Sequence, residues 1–180
     1  MRGPAKFIVT AVAGIFLQYA LMTSPGFKGW ASFSAKGRSL KFSFFYAPSK
    51  ELYLFFPGKC SVKVDFQGFV KVFDLEKKLY WSGTFQEASE RLLLVLEVEA
   101  LDRLWIKKED IVEVPHFVLR VSRRFSSGEP KVISIVGGQG RYLLRILKVE
   151  KDFSTPKMLY NSFKMAPLEE VCTKFTRRQK

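Results

Sequence analysis

The chain has little of what metal and redox chemistry require. Among its 180 residues there is one histidine, His116, and there are two cysteines, Cys60 and Cys172. A transition-metal centre therefore has almost no ligands to draw on. The cysteines lie too far apart for a CxxC redox or zinc motif; if they pair, they make one disulfide. Acidic residues are also few, 17 against 30 basic ones. Asp65 and Asp74 stand in strand-like stretches without a partner pattern, which leaves paired-carboxylate acid/base catalysis unsupported. No nucleophile motif lies near His116, which follows Pro115 and reads as a surface or strand-end residue. The cluster Gly137-Gly138-Gln139-Gly140 lacks GxGxxG spacing and precedes a strand pattern, so it reads as a hairpin turn and not as a phosphate cradle. These absences point away from an enzyme, and no cofactor or metal is expected.

What the chain does have is aromatic mass and positive charge. There are 18 phenylalanines, and the formal net charge is +13. Flat side chains in that number fill a core or line a cavity for an apolar ligand. The charge implies an anionic partner: nucleic acid, a membrane surface or an acidic protein. Interleaved pairs such as Lys41-Phe42 and Arg124-Phe125 would suit single-stranded nucleic acid. The amino terminus argues otherwise. Arg2 and Lys6 precede residues 7–22, which carry no charge. A basic start followed by an apolar run is the layout of an export signal, slightly short for a membrane-spanning helix. The small-residue pattern Ala11-Val12-Ala13 comes too early for a well-placed cleavage site, so residues 1–22 are either a signal peptide or a retained anchor. For an exported basic protein, anionic phospholipid is the more available partner, and no nucleic acid is expected.

After a linker at residues 23–28, alternation takes over. A first strand is predicted near Trp30 and Phe33. Leu40, Phe42, Phe44 and Tyr46 share one parity against Ser39, Lys41 and Ser43, the signature of a half-buried strand. Leu52, Leu54 and Phe56 repeat the pattern after the turn Ala47-Pro48-Ser49-Lys50, and Pro57-Gly58 closes it. Val62, Val64 and Phe66 make the next strand, then residues 69–74 after Gly68, then a short one at residues 79–81. Such a run of short-linked strands pairs as an antiparallel meander with an apolar face to be covered.

The period then changes. Thr84-Phe85-Gln86-Glu87 has the form of a capping box, and a helix is predicted over residues 85–96, followed by a shorter one holding Leu101, Leu104 and Trp105. Residues 107–110 read as a charged link. Strands resume at residues 117–121, 131–136 and 141–149, with a turn at Ser126-Ser127-Gly128-Glu129-Pro130 between the first two. The last strand is apolar on both faces: Tyr142, Leu144 and Ile146 on one, Leu143, Leu147 and Val149 on the other. That implies burial on both sides or curvature around an apolar interior. Residues 159–167 read as a connector closing on the sheet, and residues 169–180 as a basic, solvated tail.

A signal segment, a meander of about five strands, a helical insertion and a second meander together resemble the LolA/LolB-like lipoprotein carriers of the bacterial periplasm. Gly29-Trp30-Ala31 leading to Lys36-Gly37-Arg38, the strand ending at Phe56-Pro57-Gly58, and the closing Phe163-Lys164-Met165-Ala166-Pro167 look like the outer-membrane LolB-type members. The resemblance implies one domain over residues 29–168: mainly β with a helical insertion, a curved antiparallel sheet forming an unclosed half-barrel with lid helices over its opening. It also implies a non-enzymatic carrier of acyl chains from lipoproteins or phospholipids, working in the periplasm or cell envelope beside other envelope proteins. No cysteine stands directly after the apolar run, so a soluble protein, or one tethered by residues 7–22, is expected in place of a lipid-modified one. The expected cavity lining is Phe42, Phe44, Leu52, Leu54, Phe56, Val64, Leu92, Leu96 and Trp105. Lys107, Lys108, Arg123 and Arg124 are the expected contacts to an anionic membrane. The alternative is a structural or interaction domain of an envelope assembly, with a packed interior.

Overall fold

The computed structural model describes residues 26–137, 140–152, 154, 156 and 162–175. The apolar run at 7–22 lies outside them, as do residues 138 and 139 of the glycine cluster, residues 159–161 of the connector and residues 176–180 of the tail.

Six strands open the described residues: β1 (Gly26–Ala35), β2 (Arg38–Ala47), β3 (Glu51–Phe56), β4 (Cys60–Asp65), β5 (Phe69–Asp74) and β6 (Leu79–Thr84). Two short helices follow, α1 (Phe85–Arg91) and α2 (Val98–Trp105). Then come β7 (Ile111–Val114), β8 (Phe117–Arg124), β9 (Pro130–Gly137), β10 (Gly140–Asp152) and β11 (Lys164–Met165), and a 3-10 turn at Leu168–Glu170. All the strands join one sheet in the order β11-β6-β5-β4-β3-β2-β1-β10-β9-β8-β7. Pairing is antiparallel except for β11, which runs parallel to β6. The two predicted meanders are thus one unclosed sheet, joined where β1 meets β10. The protein is mainly β, with a helical insertion.

The parity of β2 to β5 is as the alternation predicts. Phe42, Phe44, Tyr46, Leu52, Leu54, Val62, Val64, Val70 and Val72 all enter one apolar cluster, which also takes in Val112 on β7 and both helices. A single cluster that reaches from one end of the sheet to the other requires the sheet to curve around its contents. Gly37, Gly58 and Gly68 turn the chain at positive φ, a backbone region that glycine enters without a Cβ penalty. The capping box is formed: the Thr84 hydroxyl accepts from the Glu87 amide, and the Glu87 carboxylate accepts from the Thr84 amide. Those backbone bonds hold the Glu87 carboxyl below the usual carboxylate range.

Several expectations need correction. Helix α1 stops at Arg91, and residues 92–97 cross the groove as non-helical chain. A helix apolar on all sides would need cover on all sides, and an open sheet supplies it on one. Freed from the helix, the Leu93 amide donates to the Phe175 carbonyl at 2.9 Å while Leu92, Leu94, Val95 and Leu96 stay buried. Strand β7 was not foreseen; it pairs with β8 through the turn at Pro115 and His116, which places His116 at a strand end as expected. β1 starts at Gly26, inside the predicted linker. Phe66 lies beyond the end of β4 and is exposed.

The carboxyl-terminal residues 168–175 are not a solvated tail. Leu168, Val171, Cys172 and Phe175 are buried in the main cluster, with the Phe175 ring stacked on Phe56 at 4.8 Å. Cys172 forms a disulfide with Cys60, 112 residues earlier. Its amide donates to the Asp74 carboxylate at 3.2 Å. This strap covers the β3–β5 end of the groove.

The two-sided apolarity of β10 also has a local cause. The β1–β10 register shifts between Trp30 and Ala31, with Trp30 opposite Lys148 and Ala31 opposite Ile146. Leu147 is the extra residue of a bulge. Tyr142, Leu144 and Ile146 face the groove, Val149 joins them after the shift, and Leu147 is turned out. Close approach at this point requires Gly29, where a Cβ would lie 1.9 Å from the Lys148 carbonyl oxygen.

Candidate functional site

The nine expected lining residues are all buried in the main cluster between the sheet and the helical insertion. Six of them, Phe42, Phe44, Leu52, Leu54, Leu96 and Trp105, border one cavity together with Ala31, Tyr46, Leu101, Leu144 and Ile146. Leu92 lies a short way off, bordering a second gap with Phe33, Phe117 and Tyr142. Phe56 and Val64 border neither gap; Phe56 packs under the strap.

The expected ligand-sized space is not open. The central cavity measures about 20 Å³ and the second about 10 Å³. A space of about 20 Å³ admits at most a single water molecule. The volume between the strands is taken up by α2, whose Val98, Leu101, Leu104 and Trp105 are buried, and by the 92–97 crossing. Helix α2 is amphipathic, so it adheres by one face and leaves Glu99 exposed on the other.

One polar contact interrupts this apolar seam. The Asp102 carboxylate, on the buried side of α2, accepts from the Tyr46 hydroxyl. It also accepts from the Ser49 amide at 2.9 Å and the Ser49 hydroxyl at 3.0 Å. Burial, with the carboxylate beside it, pushes the Tyr46 hydroxyl far above the ordinary phenol range, so it stays a donor. This latch ties the helix to the end of β2 and to the turn leading into β3. No local pattern in the sequence marks it, because Tyr46 and Asp102 are 56 residues apart. Close by, the ring of Tyr46 meets that of Trp105 edge-on at 5.7 Å. The Trp105 indole N–H is buried without an acceptor among the described residues. At the start of α2, burial raises the carboxyl of Glu97, opposed by the charge of His116.

The four expected membrane contacts divide. Lys107, Lys108 and Arg123 are exposed. Arg124 is not a surface contact: its guanidinium bonds the Asp110 carboxylate at 2.9 Å and the carbonyls of Leu104, Glu109 and Gly128. It binds the end of α2 to the β8–β9 hairpin, which is work inside the fold.

The larger concavity lies on the opposite, convex face of the sheet. It is an open groove of about 420 Å³ bordered by Lys28, Trp30, Phe45, Phe55 and Lys148. Phe45, Ala47, Tyr53 and Phe55 make a small separate apolar cluster there.

The fold and site define a mainly-β protein whose open sheet wraps an apolar, helix-filled groove. No protein-family model matches the chain. No curated protein matches it either. Among solved structures, an uncharacterized conserved protein from Thermus thermophilus is similar over 87% of this chain and 98% of its own, with a TM-score of 0.45 and 10% identity. None of these comparisons assigns the chain to a family.

Proposed function

We propose that this is an exported, non-enzymatic protein of the LolA/LolB kind that holds acyl chains in the groove between sheet and helices, in lipid or lipoprotein transport at the cell envelope. The observation that carries this reading is the α2 seam, apolar on both sides, with the Asp102 latch on its buried face and guanidinium bonds of Arg103 and Arg124 at its carboxyl-terminal end. To admit a chain, α2 lifts, and Leu101, Leu104 and Trp105 leave the groove. Re-exposing these three side chains costs roughly 4.5–9 kcal/mol, before Val98 and the Asp102 latch are added, and an acyl chain burying about ten methylenes gains roughly 8 kcal/mol. The ligand term offsets most of the apolar cost, and the polar ties of α2 favour the closed lid, so a bound chain is released again, as a carrier requires. An ester or carboxyl oxygen at the head of the chain would supply the acceptor that the Trp105 indole lacks. The disulfide supports an oxidising compartment, and hence export.

The packed interior favours a second reading, an envelope-anchored interaction domain with no ligand. Lipid extraction and mass spectrometry of detergent-free full-length protein, with titration of a fluorescent fatty acyl probe, separate the two. The carrier reading expects co-purified lipid and saturable probe binding that Phe44→Arg abolishes. Neither lipid nor probe binding would leave the interaction domain.

A further inference from the structure

The outward rows of the sheet carry a second feature, independent of whether the groove takes a ligand. Across the middle of the convex face, register aligns Lys41 on β2, Ser32 on β1, Arg145 on β10, Val132 on β9 and Arg123 on β8. Neighbouring strands are about 4.8 Å apart, so the three charges recur at roughly 10 Å along a row about 19 Å long. The next row holds Ser34, Leu143, Ser134 and Arg120. None of Lys41, Arg120, Arg123 or Arg145 makes an ion pair among the described residues. Of the carboxylates on the outward rows, Glu150 and Asp152 are already bonded to Lys148 and Lys28, and the exposed Glu113 stands on the edge strand β7 opposite Val118, off the charged row. Like charges held on a rigid sheet without counter-charges repel one another, and an anionic surface relieves that repulsion.

The same face exposes apolar side chains. Trp30 is 56% exposed at the rim of the 420 Å³ groove, and the β10 bulge leaves Leu147 50% exposed beside it. An indole flanked by Lys28 and Lys148 is an amphipathic group of the kind that sits at headgroup depth. A polyphosphate chain would have no use for Leu147. The apolar run at residues 7–22 ends shortly before β1 begins, on the strand that carries Trp30.

We infer that the convex face over β2, β1, β10, β9 and β8 rests on an anionic phospholipid bilayer, with Trp30 and Leu147 at the interface and the Lys41–Arg145–Arg123 row against lipid phosphates. The groove would then open away from that membrane.

The test uses the full-length protein with vesicles of phosphatidylcholine alone or mixed with phosphatidylglycerol, each carrying brominated acyl chains. Emission lost in Trp30→Phe isolates the Trp30 signal from Trp81 and Trp105, so insertion of residues 7–22 alone does not register. Quenching of Trp30 is expected in anionic vesicles only, and is expected to fade as salt rises. Each basic residue at an anionic surface changes partitioning about fivefold, so Lys41→Glu with Arg145→Glu should lower it at least roughly 25-fold. An unchanged thermal melt shows that the double variant folds; if it does not fold, the salt series on the natural chain decides. Equal quenching in both vesicles, salt-independent quenching, an unaffected folded double variant, or displacement of the protein from vesicles by a single-stranded oligonucleotide would overturn the inference.

Discussion

Replacing Cys60 and Cys172 together by alanine should lower stability by about 5 kcal/mol, nearly all of it through the unfolded chain. The bond joins residues 112 apart in sequence. Opening a loop of that length returns about 16 cal/mol/K of chain entropy to the unfolded ensemble, or about 4.8 kcal/mol at 25 °C. In the folded state the strap has its own hold. Leu168, Val171 and Phe175 are buried, and at about 1.5–3 kcal/mol each they keep it seated without the covalent link. The double variant should therefore fold with the Phe175 ring still on Phe56, and melt about 10–20 °C lower. Thermal and urea unfolding followed by circular dichroism, with and without reductant, measure this. The urea slope should also steepen, because an unlinked unfolded chain exposes more surface. A melting temperature within about 5 °C of the natural chain would refute the reasoning, as would two free thiols titrated in the unreduced, unfolded protein.

Two further outcomes follow from the α2 seam. Tyr46→Phe removes one donor to the Asp102 carboxylate and should cost about 1.5–3 kcal/mol by urea unfolding, while speeding uptake of an acyl probe; unchanged stability would mean the latch carries no weight. Glu97 has its carboxyl raised by burial, so the folded state penalises the ionised form above its folded pKa and loses that penalty as pH falls through it. Glu97→Gln should accordingly raise the urea midpoint at neutral pH and match the natural chain in acid, where both side chains are neutral; a gain that persisted in acid would point to another cause.

What could be read before the fold was known was what repeats locally. The alternation from Leu40 to Tyr46 shows itself within seven residues, and so does the Thr84 to Glu87 box; both are as expected. The alternation alone does not say which parity faces inward; the fold turns Phe42, Phe44, Leu52 and Leu54 into the groove and leaves Phe45, Tyr53 and Phe55 in a smaller cluster on the outer face. Elements made by distant partners did not show. Residues 92–96 look like helix by composition, yet the Leu93 amide is claimed by the Phe175 carbonyl. The Asp102 latch and the Cys60–Cys172 link have no local period at all. Arg124 resembled the exposed Arg123 beside it, because nothing in the sequence shows that its guanidinium reaches carbonyls of a helix and a hairpin. The bulge at Leu147 hid in plain sight, since a parity shift reads as apolarity on two faces.

A sheet that does not close has two outer strands, and unpaired backbone at an outer strand invites another chain to add to it. Here both ends are blunted. β11 lies along β6, with the Lys164 amide donating to the Lys78 carbonyl and the Ala166 amide to the Tyr80 carbonyl, each at 2.9 Å. β7 is only four residues long, is stopped by Pro115, and has its Glu113 carbonyl occupied by the Arg103 guanidinium at 3.2 Å. The protein can thus keep an open, helix-filled half-barrel at high local concentration without polymerising edge to edge.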